Sequence, residues 1–377
     1  MNEINNDNNS LTNALFICNE KFLNTSINAG GVKFCTDEFL CLIKTAFNVI
    51  EFPVSYDTSI RQKISIKFNL SAYNDYNVSK YKAYLQAILN ENTITHVFLN
   101  LTNTTTFADV IKSISPRMKV ILCSHGNESG DYLHEIVMHE KYKGFKKKTA
   151  IYILGNMLFK EATVRKNIDV VLTVSDVEEG IEKWLGAKSV FMIPRFIEKQ
   201  NGIYNPVQGK VGFISDLSHE PNFFGIVQVC KAVSLLAHQN INIILVGGGK
   251  ARGESLQKQY SFVQYLGYLS EEKLAQEISS WTFALNPVFY YSRGVSTKLG
   301  KSLGMGYPVI TTNIGMRGYK WTEGKLPECK TAQEMASLIV ELSTDKNAWQ
   351  HYKNEVAKIQ SSTPSYKEMM MEIKNYL

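Results

Sequence analysis

Short apolar runs alternate along this chain with longer stretches in which apolar positions recur at helical spacing, the pattern of parallel strands joined by helices. In the first half, Asn13–Cys18, Thr95–Leu99, Lys119–Cys123 and Asp169–Val174 predict strands. Asn28-Ala29-Gly30-Gly31 reads as a loop before a helical pattern over Phe34–Phe47, and Ser175-Asp176 as a cap for a helix over Val177–Leu185. The stretch Ile197–Gly209, rich in Asn, Gly, Pro and Gln, fits a connection between domains, and Tyr366–Leu377 is a helical pattern after Pro364.

The densest signal lies between Trp281 and Gly318. Thr282–Leu285 is short enough for a buried strand, and Tyr307–Thr312 is β-branched after its proline, so two parallel strands are expected to flank a helix beginning near Gly294. The first turn of that helix, Gly294-Val295-Ser296-Thr297-Lys298, offers backbone amides, two hydroxyls and one ammonium. Such a set suits a phosphate or diphosphate at the positive end of the helix dipole. A strand–helix–strand unit also occurs in doubly wound domains that bind nothing, so local pattern alone leaves both readings open.

Gly306-Tyr307-Pro308-Val309-Ile310 resembles the C-terminal signature of nucleotide-sugar-dependent glycosyltransferases of the GT-B fold, family 4 (group 1) in particular. The resemblance runs upstream: Val211–Asn222 is similar to the strand and loop opening such a domain, and Ile241–Val246 with Gly247-Gly248-Gly249 to its second strand and turn. Val263–Tyr268 resembles the strand whose following loop meets the nucleotide base, and Asp169–Ser175 the closing strand of the preceding domain. The family implies an α/β protein of two Rossmann-like doubly wound domains facing a central cleft. The expected boundaries are 1–200 for the acceptor domain, 201–362 for the donor domain, and 363–377 for a terminal helix packing back on the first.

By the same resemblance, Gly30, Gly31, Gly248, Tyr268, Leu269, Arg293, Gly294, Val295, Ser296, Thr297 and Lys301 line the donor. Lys298 neutralises the departing diphosphate, and His125, at the end of the run Val120–Cys123, contacts the sugar. Read without the family, His125 equally fits a turn cap. Two departures matter. The family's paired glutamates fall at Arg293 and Lys301, and a lysine accepts no hydrogen bond from a ribose. The family's basic pair is also missing from Ser215–Asn222. The expected activity is transfer, with retention, from a nucleotide-sugar to a surface polysaccharide, lipid-linked oligosaccharide or similar acceptor, with no cofactor or metal beyond the donor substrate. The alternative is an inactive scaffold for a partner transferase.

Composition bounds these readings. With 377 residues and 44% hydrophobic content the chain can fill two cores. It lacks an apolar run of about 18 residues or more for a span, and Met1–Ser10 lacks a signal pattern, so a cytoplasmic protein is expected. Cys18, Cys35, Cys41, Cys123, Cys230 and Cys329 show no metal or disulfide spacing and read as buried thiols. His96 reads as a packed core histidine; His134 and His139, beside Glu135 and Glu140, lack metal-ligand spacing and read as a solvated face. The basic run Lys141–Lys148 leads into the apolar Ala150–Phe159. Two readings fit it: an anionic membrane surface bound through Lys141–Phe159, or an exposed basic turn before an ordinary buried helix. The net charge of +6 comes without any nucleic-acid-binding motif, which excludes that class.

Overall fold

Among the described residues, twelve strands in two parallel sheets organise the protein. The computed structural model describes residues 11–24, 30–68, 75–138, 142–200, 202–236 and 240–377. Met1–Ser10, Asn28, Ala29, His139, Glu140 and Lys141 lie outside the described residues. The chain divides into two units, one reaching to Ile193 and including Ser365–Leu377, the other spanning Pro194–Pro364.

The first sheet contains β1 (Thr12–Asn19), β2 (Phe47–Val54), β3 (His96–Asn100), β4 (Lys119–Cys123), β5 (Val170–Thr173) and β6 (Val190–Met192), in the order β2-β1-β3-β4-β5-β6. Residues on both faces are buried. Leu15, Ile17, Val97, Leu99 and Val120 share one core with Leu85, Ile88 and Ile111 of the covering helices, while Phe16, Phe98 and Ile121 between them are also fully buried. That is why the strands read as continuous apolar runs rather than alternating ones. The sheet has two strands the sequence pattern did not predict. β2 is an edge strand with exposed Glu51 and with Pro53, a residue tolerated at edges. β6 is three residues long and, instead of the Asp169–Ser175 segment, closes the sheet.

The second sheet contains β7 (Lys210–Ile214), β8 (Asn242–Val246), β9 (Val263–Gly267), β10 (Phe283–Asn286), β11 (Val309–Thr312) and β12 (Glu328–Cys329), in the order β12-β11-β10-β7-β8-β9. Val211, Phe213, Ile243, Leu245, Phe283 and Leu285 point to one face, against Ile226, Val229, Met335 and Ile339. Ile244, Val246, Ala284 and Val309 point to the other, against Leu299, Leu303, Val356 and Ile359. Each unit is therefore a doubly wound, Rossmann-like layer structure, as the resemblance implies.

Several elements depart from the sequence reading. The first long helix runs Gly30–Lys44, so Gly30 and Gly31 are its first residues rather than a preceding loop, and Phe47 already belongs to β2. Ile197, expected in the connection, is buried in the core of the second unit, and Gln200 and Asn205 donate backbone hydrogen bonds to Gly304 and Ser279 there. Cys41 is exposed, whereas the other five cysteines are buried. His96 is partly exposed at the start of β3, its Nε2 3.0 Å from the Leu377 carbonyl oxygen, and His134 is partly buried rather than fully solvated.

Candidate functional site

In an open parallel sheet, ligands gather outside the carboxyl ends of the strands where the order reverses. In the second sheet that point lies between β7 and β10, because the chain proceeds outward from β7 through β8 and β9 and then returns to place β10 on its other side. Ser215 follows β7 there. Its hydroxyl is a buried oxygen with no hydrogen-bond partner among the described residues, an arrangement that normally costs about 1–3 kcal/mol. The rest of this loop is tied down. Asp216 Oδ1 accepts from the Ser218 amide at 2.8 Å and the Ser218 hydroxyl at 2.7 Å, and the Ser218 hydrogen bonds hold its carboxyl below the usual range.

The loop after β10 leads to the helix Thr297–Gly304. That helix begins three residues later than Gly294, which adopts a left-handed φ of 72° and so cannot be part of the helical turn. Ser296 occupies the N-cap without capping the helix; its hydroxyl instead donates to Asn286 Oδ1 at 2.7 Å. Asn286 is oriented by its Nδ2, which donates to Thr311 Oγ1 (3.0 Å) and the Gly315 carbonyl (3.1 Å). The Tyr319 hydroxyl sits between the Gly300 amide, from which it accepts at 3.0 Å, and the Ser296 carbonyl, to which it donates at 2.8 Å. A tyrosine thus replaces the first helical hydrogen bond and fixes a helix N-terminus that no side chain caps. Arg317 donates to the carbonyls of Ile314 and Ser292, bracing the loop before that helix.

Lys298 lies in the first turn and donates to Asn222 Oδ1 at 2.8 Å, with its Nζ 5.8 Å from the centroid of the Phe213 ring. Asn222 presents that oxygen because its Nδ2 donates to the Asp216 carbonyl at 3.1 Å. Lys298 as a whole is only partly buried, but desolvation of its ammonium end pushes its pKa down from 10.5 to about 8. Desolvation is the sole cause: no carboxylate among the described residues offsets it. An amine so placed gains from an arriving anion. Ser215 follows β7 and Lys298 lies in the first turn of the helix after β10, the two strands that flank the switch point; a hydroxyl, helix amides and an ammonium are groups that suit an anion.

Beside it, a cleft of about 400 Å³ opens at the ends of β8 and β9, lined by Gly248, Glu254, Tyr265, Leu266 and Tyr268 among others. Tyr268 is 80% exposed. A Cβ on Gly248 would lie 2.6 Å from the Tyr268 hydroxyl and 2.7 Å from Asp216 Oδ1, so a side chain there would displace these two. Of the remaining sequence candidates, Val295 and Thr297 are half-buried, Arg293 and Lys301 are exposed, and Leu269 packs its side chain against the core.

The first sheet reverses order between β1 and β3, and His125 follows the neighbouring β4. Its Nε2 is 2.8 Å from Asn100 Oδ1. The Thr36 hydroxyl donates to the Val32 carbonyl at 2.9 Å and must therefore accept from Asn100 Nδ2 at 3.0 Å. This orients the amide, so the proton between Asn100 and His125 sits on Nε2. Leu101, next to Asn100, has φ 75° and ψ 151°, a strained conformation for a non-glycine residue that costs about 1–3 kcal/mol. The Leu101 amide bond to Cys123 and the Thr104 hydroxyl bond to the Leu101 carbonyl hold it there. The His125 loop is fastened from behind. Glu161, fully buried, accepts from Asn127 Nδ2 (2.8 Å), the Ser129 amide (3.1 Å) and the Ser129 hydroxyl (2.6 Å), while Ser124 donates to Glu182 at 3.3 Å. Arg165 grips Glu182 with two 2.6 Å bonds and donates to the Glu161 carbonyl.

Gly30 and Gly31 start the helix that carries Thr36, in the same unit as His125. Sequence reasoning missed Ser215, Asn222, Asn286, Tyr319, Asn100 and Glu161. The available signal was position: Ser215, Asn286 and Asn100 are polar residues at the carboxyl ends of otherwise apolar strands. Among the described residues, no group of three or more His, Cys, Asp or Glu could hold a metal ion.

Residues 208–345 match the family model described as glycosyl transferases group 1. No curated protein matches the sequence. Among solved structures, the chain is similar to a sucrose-phosphate synthase from Thermosynechococcus elongatus, with TM-score 0.67 and 15% identity over 97% of this chain and 98% of that one. It is similar also to the lipopolysaccharide outer core galactosyltransferase WaaB in its apo form (TM-score 0.62, 11% identity, 97% and 99% covered). Anabaena HepE, solved in complex with UDP and glucose, aligns with TM-score 0.58 and 14% identity over 97% and 99% of the two chains.

Proposed function

From the premise that residues 208–345 are a group 1 glycosyl transferase domain in a chain of GT-B fold, we propose that this protein transfers a sugar from a nucleotide-sugar to a glycan or lipid-linked acceptor, with retention of anomeric configuration. The observation that carries the reading is the desolvated Lys298 ammonium in the first turn of an uncapped helix. In transfer, the bond from the anomeric carbon to the diphosphate oxygen breaks and the acceptor hydroxyl oxygen takes its place. Charge develops on the leaving diphosphate, where fixed donors have the largest effect on rate. Lys298, Ser296, Thr297 and the helix amides meet that charge, Arg293 assists, and the reaction then needs no metal. Ser215 adds a hydroxyl that pairs when the diphosphate binds.

The cleft beside Gly248 and Tyr268 suits a nucleotide base, with the aromatic ring as a stacking surface. His125 takes the sugar. Gly30, Gly31, Gly294, Val295 and Leu269 contribute backbone to the donor. A lipid-linked acceptor fits an enzyme in the cytoplasm held peripherally at a membrane; no helix among the described residues is long and apolar enough to cross one.

One observation favours a second reading, a scaffold without turnover: Arg293 and Lys301 stand where the family has glutamates, and neither accepts a hydrogen bond. A thermal-shift series with UDP-, GDP-, ADP-, TDP- and CMP-linked sugars tests the proposal, since a ligand of the native state raises its apparent stability. UDP-sugars come first, given the UDP bound in the similar HepE structure. A shift with one nucleotide class, absent in Lys298→Ala, supports transfer. Silence throughout favours the scaffold.

A further inference from the structure

The helices Glu128–Met138 and Gly144–Val164 pack against each other in the first unit and expose an unusual set of residues. On the first, the exposed positions are Leu133, Val137 and Met138. On the second, Lys148, Ile151, Gly155, Phe159 and Ala162 are exposed at spacings of three and four, which places them on one face. Its opposite face holds the buried Ala150, Met157 and Glu161. A helix on a protein surface ordinarily turns charged and polar residues outward. Here the outward face is apolar, with Phe145 83% and Phe159 75% exposed. The carboxylates of both helices, Glu128, Asp131, Glu135 and Glu161, are all partly or fully buried.

The exposed lysines at the start of this helix, of which Lys148 lies on the apolar face, are misplaced for helix stability. Lys146, Lys147 and Lys148 crowd the N-terminal turns, where the helix dipole repels positive charge, and the N-cap Lys143 makes no capping bond. Two other helices show the opposite arrangement: Ser175 caps a first turn with Asp176, Glu178 and Glu179, and Ser270 caps one with Glu271 and Glu272. Three consecutive lysines at a helix start, next to exposed Phe145, set basic and apolar groups side by side on one surface.

We infer that this two-helix face is a docking surface for an anionic lipid bilayer, with the lysines at the headgroups and Phe145, Ile151 and Phe159 in the acyl boundary. The inference rests on and deepens the peripheral attachment in the proposed function; Lys146, Lys147 and Lys148 lie within the helix rather than in a turn before it. Charge complementarity favours lipid over a second copy of the chain, which would set lysines against lysines.

The test is flotation of the full chain with phosphatidylcholine vesicles with and without phosphatidylglycerol, in the absence of donor and acceptor, so that its outcome is independent of transfer. Binding to the anionic vesicles only is expected. Each lysine near the surface is worth about a five-fold change in partitioning, so the triple variant Lys146→Gln, Lys147→Gln, Lys148→Gln should weaken it about a hundred-fold. Phe145→Ser with Phe159→Ser should also abolish binding, and because both positions are exposed the variant should keep the wild-type melting curve. Equal behaviour on neutral and anionic vesicles, wild-type binding by either variant, or concentration-dependent self-association that the phenylalanine variant abolishes would each overturn the inference.

Discussion

Two arginine–glutamate pairs, one in each unit, have the same 2.6 Å contact and opposite settings. Arg165–Glu182 is almost wholly buried, with 1% and 0% of the two side chains exposed, whereas Arg252–Glu220 leaves 33% and 35% exposed. The first stands behind the His125 loop, in a network that commits Ser124, Asn127 and Ser129. The second braces the loop after β7, where Arg252 also donates to the Leu217 carbonyl at 2.9 Å. Contact distance does not distinguish them; surroundings do. A buried pair that loses one partner leaves an unpaired charge in low dielectric, while an exposed pair is replaced by water. The His125 region is therefore locked before any ligand arrives. The Lys298 region is held by hydrogen bonds at its edges and keeps its charged and polar centre under-satisfied.

Breaking each pair measures that contrast. Arg165→Met should lower unfolding free energy by about 3–5 kcal/mol in denaturant titration, the largest effect expected of any substitution here. Lys298→Ala should not lower the denaturation midpoint at neutral pH, because the desolvated ammonium itself opposes folding there, while lowering transfer by about 10²–10³-fold, the usual result of removing one fixed donor from a developing negative charge.

Ser215→Ala sharpens the comparison, because a structural and a functional hydroxyl give opposite signs. Removing a buried oxygen that has no partner should stabilise the ligand-free protein by about 1 kcal/mol while weakening nucleoside diphosphate binding; destabilisation with unchanged binding would make the residue structural. Arg252→Ala should cost less than about 1 kcal/mol, read by the same denaturant titration as Arg165→Met.

A pH effect follows from Lys298 itself. The unfolded chain keeps this proton up to the ordinary 10.5, and the folded chain releases it near 8. Between those values the unfolded state binds more protons, so the stability of the ligand-free protein rises with pH across that window. The Lys298→Met profile should lack this rise, so that the difference between the wild-type and variant profiles isolates it. Nucleotide binding should follow the opposite trend and weaken as pH passes 8, because the anion meets a neutral amine.

The second unit was the more legible in sequence because its strands are either β-branched, as in Val309–Thr312, or followed by glycine turns, as in Val246-Gly247-Gly248-Gly249. β2 was hidden by its half-exposed positions and its proline, and β6 by its brevity. The helix start at Thr297 was displaced because Gly294 resembles a helix opener in pattern and is a left-handed turn in fact. The supporting polar residues were invisible for a different reason. Asn100 joins Thr36 and His125, Glu161 joins Asn127 and Ser129, and Tyr319 joins Ser296 and Gly300; each partnership links segments far apart in the chain, and no local spacing announces it. Lys298 was identified by its place in a first turn, but its desolvation depends on Phe213 and on neighbours supplied by the fold.

The central claim is that the Lys298 ammonium receives the donor diphosphate. Calorimetric titration of UDP near pH 8.5, in two buffers of different ionisation enthalpy, tests it most directly. The account predicts that binding takes up a proton, because the diphosphate raises the lowered ammonium pKa, and that Lys298→Ala abolishes the uptake. Binding of UDP with no proton uptake in the wild type, or with the same uptake in Lys298→Ala, would contradict it.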